Sequence, residues 1–413
     1  MAARADERTR KRLLEMPGVT TLRRQADGTT QAFDLVYVRS GPRGETPVVV
    51  LPGGPGLASV MPYIGFRARA QRAGLDVVMM EHRGVGLSRA DTDGEDLAFD
   101  AMSVPLVVDD LAAVLDDAGI DKAIIYGSSY GSYVAQAFGA THPSRVAGMV
   151  LDSPVLGADD HVEVREHARS VLWEGTEETA DIAKGLRALV RSGRATQDQV
   201  DEVARITYEY GGPRLLRRLA AQQLAGRADR TWRWLASLGD SETDTPVPYI
   251  MEFDLAGAIA FRELRYASER DGGPFDRPAR FTEVAKRFPP FSGEHFDMLG
   301  ELSSFDWPLV VLRGERDLRT APSTAERIAS TAPRGVEATL PKTGHSVLDV
   351  HPVAARTVMQ RIREDKHEEL SGAGEELAAL PKHGSSRHLA TIIRTRLGLE
   401  RTPFRRGPVR PQL

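Results

Sequence analysis

Three residues far apart in the chain, each in a distinctive local frame, have the types needed for acyl transfer. Ser129 is the centre of Gly127-Ser128-Ser129-Tyr130-Gly131, a G-x-S-x-G pattern. The apolar run Ala123–Tyr126 before it reads as a buried strand, and Tyr130–Ala140 after it as a helix. A strand, a sharp turn and a helix lift a serine hydroxyl clear of the backbone at a sheet edge. That hydroxyl is a poor nucleophile until a base takes its proton, and the base needs an orienting acid. With this turn the chain order is serine, acid, histidine. Asp317, in Arg313-Gly314-Glu315-Arg316-Asp317 after an apolar strand, is the candidate acid, with Glu315 second. His345, in Lys342-Thr343-Gly344-His345-Ser346, is the candidate base; His351, beside Pro352, suits a helix N-terminus better. Acyl transfer also needs N–H donors for the developing oxyanion. The expected pair is the amide of Tyr130 and that of Gly54, in the loop Leu51-Pro52-Gly53-Gly54-Pro55-Gly56.

The elements that must position these residues follow from hydrophobic patterning. Thr20–Arg24 and Ala32–Arg39 alternate as two strands, with Asp27-Gly28 as their turn. Val48–Leu51, Leu75–Met80, Ala123–Tyr126 and Val146–Leu151 are short strands apolar on both faces. Ser103–Ala118 reads as a helix with Ser103 as N-cap, and further helices separate the strands. Such strands imply a mainly parallel sheet flanked by helices. From about residue 160 to 300 the pattern turns helical, with no clear strands, and the α/β rhythm resumes at Pro308–Leu312. The expected domains are therefore 1–159 (α/β core, first part), 160–300 (an inserted all-helical cap), 301–365 (core, second part) and 366–413 (a basic C-terminal extension). The last 33 residues carry eight Lys and Arg against one acid, Glu400. They read as a poorly ordered solubilising tail, with contact to RNA, anionic lipid or the chain's own acidic cap as the sharper alternatives.

Composition narrows the function classes. The 413 residues are 41% hydrophobic and 27% charged, ordinary values for a globular chain, and the net charge of -4 gives no reason to expect nucleic acid. With no cysteine, disulfides, thiolate nucleophiles and cysteine-bound metals are excluded. His161 and His167, in HVEVREH, lack H-E-x-x-H spacing, and neither Gly53–Gly56 nor Gly84/Gly86 completes a phosphate or dinucleotide fingerprint. No cofactor or metal is expected. The charged N-terminus lacks a signal-peptide core and no apolar run is long enough to span a bilayer, so no membrane insertion and a cytoplasmic location are expected.

In order along the chain, the motifs Pro52-Gly53-Gly54-Pro55-Gly56, Glu81-His82-Arg83-Gly84-Val85-Gly86-Leu87-Ser88, Gly127-Ser128-Ser129-Tyr130-Gly131, Gly314-Glu315-Arg316-Asp317 and Gly344-His345-Ser346 resemble those of the α/β-hydrolase superfamily. Within it they are similar to the prolyl aminopeptidase (proline iminopeptidase) family and its tripeptidyl-aminopeptidase-like relatives. The likeness spans about residues 30–160 and 300–360. It implies an α/β-hydrolase fold with a helical cap, a Ser129–His345–Asp317 triad and release of an N-terminal residue, with proline as a candidate, from a short peptide. The family's first-loop histidine is Pro52 here and its Asp-Gln pair is Glu81-His82; these residues are expected to support the first loop rather than react. The resemblance also implies a cap carboxylate for the substrate's α-amine, for which Glu209 and then Glu174 are the candidates. Two other readings stand beside it: an esterase, lipase or amidase acting on a small ester or amide, and a non-catalytic member that binds a ligand or partner.

Overall fold

Eight strands form one sheet in the order β1-β2-β4-β3-β5-β6-β7-β8 in this computed structural model, which describes residues 2–26, 31–238, 245–276, 279–384 and 386–400. The strands are β1 (Val19–Gln25), β2 (Ala32–Ser40), β3 (Val48–Leu51), β4 (Val77–Met80), β5 (Ala123–Ser128), β6 (Val146–Asp152), β7 (Leu309–Gly314) and β8 (Gly335–Leu340). β1 and β2 are antiparallel to each other, β2 is antiparallel to β4, and the remaining pairs are parallel. The Asp27-Gly28 turn expected between β1 and β2 lies outside the described residues.

The four residues of β3 and of β4 and all of β5 are buried because helices cover both faces of the sheet. Alternate side chains of one strand enter two separate cores: Val49 and Ile125 join one, Val48, Val50 and Ile124 the other. This is the period-2 geometry of a strand covered on both sides. Ser103 does begin the helix Val104–Asp117, but its side chain caps nothing. The first helical N–H, Val104, donates instead to the buried Glu263 carboxylate (3.0 Å) from the segment between β6 and β7.

That segment is helical, as expected, and leaves the sheet beside the parallel strands' C-terminal ends. Its longest helix, Gln197–Leu224, opens with a capping box from Thr196 and kinks at Gly211-Gly212-Pro213. Gly212 has φ +73°, and a side chain there would run into the Arg316 guanidinium of the loop after β7. The kink is thus where the helix rests on the loop carrying Asp317.

The described part of the C-terminal extension is not a loose tail but makes the contact with the chain's own cap that stood as an alternative. Leu389–Glu400 is a helix that packs Ala390, Ile393 and Leu397 into the apolar core of the cap. Arg396 lies over the Trp234 ring, 4.6 Å from its centroid, and the Glu400 carboxylate accepts from the N–H groups of Arg230 (3.1 Å) and Thr231 (2.7 Å) at a helix start. The i, i+3, i+7 spacing of three apolar residues explains the docking. Arg401, Arg405, Arg406 and Arg410 lie outside the described residues.

Candidate active site

The turn after β5 is built for close approach. Ser129 has φ +52° and ψ -122°, a strained conformation for a residue with a side chain. A methyl group on Gly127 would lie 2.2 Å from the Gly131 carbonyl oxygen, and one on Gly131 would lie 2.2 Å from that of Leu51. Both glycines are required by backbone contact. The turn is pinned from two sides: Ser129 N–H donates to the Asp152 carbonyl (2.8 Å), and Ser132 donates to the Ser129 carbonyl from its amide (2.8 Å) and its hydroxyl (2.5 Å).

His345 and Asp317 meet although 28 residues separate them. His345 Nδ1 lies 3.0 Å from each Asp317 carboxylate oxygen. Asp317 is 3% exposed and also accepts from Arg319 N–H (2.8 Å), Thr320 N–H (3.1 Å) and the Thr320 hydroxyl (2.9 Å). Burial pushes its pKa up, but His345 and these donors outweigh that and hold it well below the usual carboxylate range. For His345 burial lowers the pKa, and the Asp317 charge and hydrogen bond more than offset it, so it stands above its ordinary value. Glu315 is exposed and turned elsewhere, accepting from Lys342 N–H (2.8 Å). His351 is the N-cap of the helix Pro352–Arg363, accepting from Ala354 N–H at 3.4 Å.

Ser129 and His345 line one cavity of about 470 Å³, together with Gly53 and Gly54. No hydrogen bond joins the Ser129 hydroxyl to His345 among the described residues. Among the described residues, the amides of Gly54 and of Tyr130 donate to no backbone carbonyl in the surrounding loops. Tyr130 opens its helix, where the first N–H groups have no intrahelical acceptor. The first loop is held from behind by Glu81, whose carboxylate accepts from Ser59 (2.6 Å) and Val60 (2.9 Å) N–H groups. Burial raises the Glu81 pKa to about 7, against the pull of those donors. His82 acts differently from expectation. Its Nδ1–H donates to the Arg83 carbonyl (2.5 Å), which leaves Nε2 to accept from the Tyr130 hydroxyl (3.0 Å). Burial takes its pKa down to about 4, so the ring stays neutral and fixes the residue after the serine.

Sequence reasoning missed Asp152. Buried at the end of β6, it accepts from the N–H groups of Val347 (2.9 Å) and Leu348 (2.8 Å) and from the Tyr126 hydroxyl (2.8 Å). Its neighbour Ser153 accepts from Ser346 N–H (3.0 Å). The segment just past His345 is thereby tied to the strand beside Ser129. Only the acidic end of an otherwise apolar strand could have marked it.

Neither cap carboxylate expected to meet an α-amine lines the cavity. Glu174 is exposed: within its helical turn Trp173 packs against the cap core and Glu174 faces solvent. Glu209 is 3% exposed and turned toward the loop after β7. It accepts from Leu318 N–H (3.3 Å) and Arg319 Nε (3.4 Å), and Arg205 lies 3.7 Å away. Its Cβ would be 3.0 Å from a methyl on Gly344, the residue before His345. Glu209 therefore braces the loops that carry Asp317 and His345. Glu209→Gln is expected to destabilise the fold by about 1–2 kcal/mol, because it removes the buried charge that Arg319 meets and that Arg205 faces beside Glu202. It is expected to depress turnover of free-amine and N-acylated substrates alike. Thermal melting and parallel kinetics on both substrate types check this; a loss confined to free amines would contradict it.

The acids that do line the cavity are Asp160, Asp201, Glu202, Asp276 and Asp349. Glu202 pairs with Arg205 (2.5 Å) and Asp276 with Arg165 (3.3 Å). Asp201 accepts from Gln197 Nε2 (2.6 Å) and Phe275 N–H (2.8 Å), and Asp160 from Leu156 N–H (2.6 Å). Burial raises Asp201 to about 7 and Asp160 to about 6. The rest of the wall is largely apolar, including Val155, Val164, Phe253, Phe275 and Phe281. Among the described residues no group of His, Asp and Glu is arranged to hold a metal ion.

Residues 46–185 match the family described as alpha/beta hydrolase fold. A proline iminopeptidase of Neisseria meningitidis serogroup A is 32% identical over 123 residues, 30% of this chain and 37% of that protein. A probable proline iminopeptidase of Streptomyces coelicolor is 30% identical over 121 residues, 29% of this chain and 36% of that one. The chain thus spans little more than a third of the length of these curated relatives. The solved proline iminopeptidase of Mycobacterium smegmatis superposes with a TM-score of 0.51 at 17% identity, covering 85% of this chain and 99% of that one, a likeness of fold.

Proposed function

We propose that this chain, a member of the α/β-hydrolase superfamily distantly related to proline iminopeptidase-like enzymes, is a serine hydrolase that releases an N-terminal residue from short peptides. Neutral His345 takes the proton of Ser129 as the hydroxyl attacks the acyl carbon. The amides of Gly54 and Tyr130 receive the oxyanion. The imidazolium, stabilised by Asp317, protonates the leaving amine or alcohol, and neutral His345 then activates water to release the acyl group.

The observation that carries the peptide reading is that two buried carboxylates of the cavity have no arginine or lysine within ion-pair distance among the described residues. Asp201 and Asp160 are held by neutral donors, and burial penalises their charge. A substrate ammonium would supply the missing counter-charge. They take the role first expected of Glu209 and Glu174. Aminoacyl-aminocoumarins and nitrophenyl esters, run side by side, test this. Asp201→Asn is expected to raise KM for free-amine substrates about tenfold or more, the value of one charge-assisted hydrogen bond, and Asp160→Asn is expected to act in the same direction. N-acylated esters should be little affected. Equal effects on both classes would favour a second reading, an esterase on small acyl substrates, which the apolar lining supports.

A further inference from the structure

The wall of the cavity around His345 bears a row of alternating charges. Arg319 lies two residues past Asp317 and donates its N–H to that carboxylate (2.8 Å). Its Nε meets Glu209 (3.4 Å), Glu209 meets Arg205 (3.7 Å), and Arg205 meets Glu202 (2.5 Å). Glu209 stands behind the wall; Arg319, Arg205 and Glu202 line the cavity. One buried carboxylate thus meets two guanidinium groups from the rear, and the row places a cation beside the candidate base. Arg319 is part of the charge environment of the His345 ring.

In the acyl-transfer reading His345 hands its proton to the leaving group. The space on its side of the cavity therefore receives the leaving half of the substrate. We infer that Arg319, backed by Arg205, binds a carboxylate on that leaving half. The inference rests on the serine-hydrolase reading and sharpens it: the preferred substrates carry a free carboxylate one residue beyond the scissile bond, as a dipeptide does. A guanidinium has five donors in a fixed fork, so it can grip a carboxylate while keeping a partner behind it. In a dipeptide the two substrate charges would then be sorted: the ammonium toward Asp201 and Asp160, the carboxylate toward Arg319.

Two matched pairs test this, each differing only in whether the leaving group ends in carboxylate or neutral amide. One is a dipeptide and its C-terminal amide. The other is acetyl glycolate and acetyl glycolamide, esters that need no amine site. The readout is the ratio of kcat/KM for acid over amide. For the wild type it is expected to be about 10- to 100-fold in favour of the acid, falling with added salt. In Arg319→Gln it is expected to collapse toward one, and in Arg319→Lys to fall part of the way. Because the ratio compares two substrates on one enzyme, a general loss of activity from loosening Glu209 does not mimic the result. A wild-type ratio near or below one overturns the inference without any variant, as does a full ratio retained in Arg319→Gln, which would leave the row a structural brace. If the ester pair discriminates and neither peptide is cleaved, the carboxylate site stands and the aminopeptidase reading falls.

Discussion

Ser129→Ala is expected to lower turnover of every substrate by on the order of 10⁵- to 10⁶-fold, because it removes the atom that forms the acyl-enzyme. The fold should survive. The turn is held by backbone groups, Ser129 N–H on Asp152 and the Ser129 carbonyl on Ser132, and none of these involves the hydroxyl. Alanine must still adopt φ near +52°, which serine already does at similar cost. Melting temperature should therefore change by only a few degrees while activity vanishes. Turnover within tenfold of wild type would remove Ser129 from the chemistry.

The second large effect belongs to Asp317. Asp317→Asn is expected to lower kcat about 10⁴-fold, because an amide in place of the carboxylate no longer fixes the imidazole tautomer or stabilises the imidazolium. The pH profile gives a separate signature. In the proposed mechanism neutral His345 is the base, so kcat/KM is expected to fall as pH drops through its pKa. In the wild type burial lowers that pKa and Asp317 more than offsets it, placing the acid limb above the ordinary histidine value of about 6.5. In Asp317→Asn the burial stays and the charge goes, so the limb must move to lower pH. An unmoved limb, or a loss below tenfold, would mean that another group orients the base.

Much of the site was legible in the sequence because it depends on local frames. The Ser129 turn announces itself by two glycines that backbone contact demands. Asp317 follows the buried strand β7 and His345 the partly buried edge strand β8, which run parallel, so the fold carries both to the same end of the sheet. The first loop's glycines lie beside Ser129 for the same reason; a methyl on Gly53 would be 3.2 Å from Ser129 Cβ. What stayed hidden depends on tertiary packing. Asp201 and Glu209 sit eight residues apart on one helix, about 80° around and about 12 Å along. Sequence spacing shows that both project from the cap, but not which faces the cavity. Asp152 works through main-chain N–H groups nearly 200 residues away, and no pattern announces such a bond. In the C-terminal extension the basic count overshadowed the spacing of Ala390, Ile393 and Leu397, which is an ordinary docking stripe.

Activation of the Ser129 hydroxyl for acyl transfer by His345 and Asp317 is tested most directly by reaction of the intact protein with a fluorophosphonate, followed by mass mapping of the modified peptide. One adduct is expected, on Ser129, with its formation abolished in Ser129→Ala and slowed in Asp317→Asn. A folded wild-type protein that takes no label, or takes it on another serine, would contradict it.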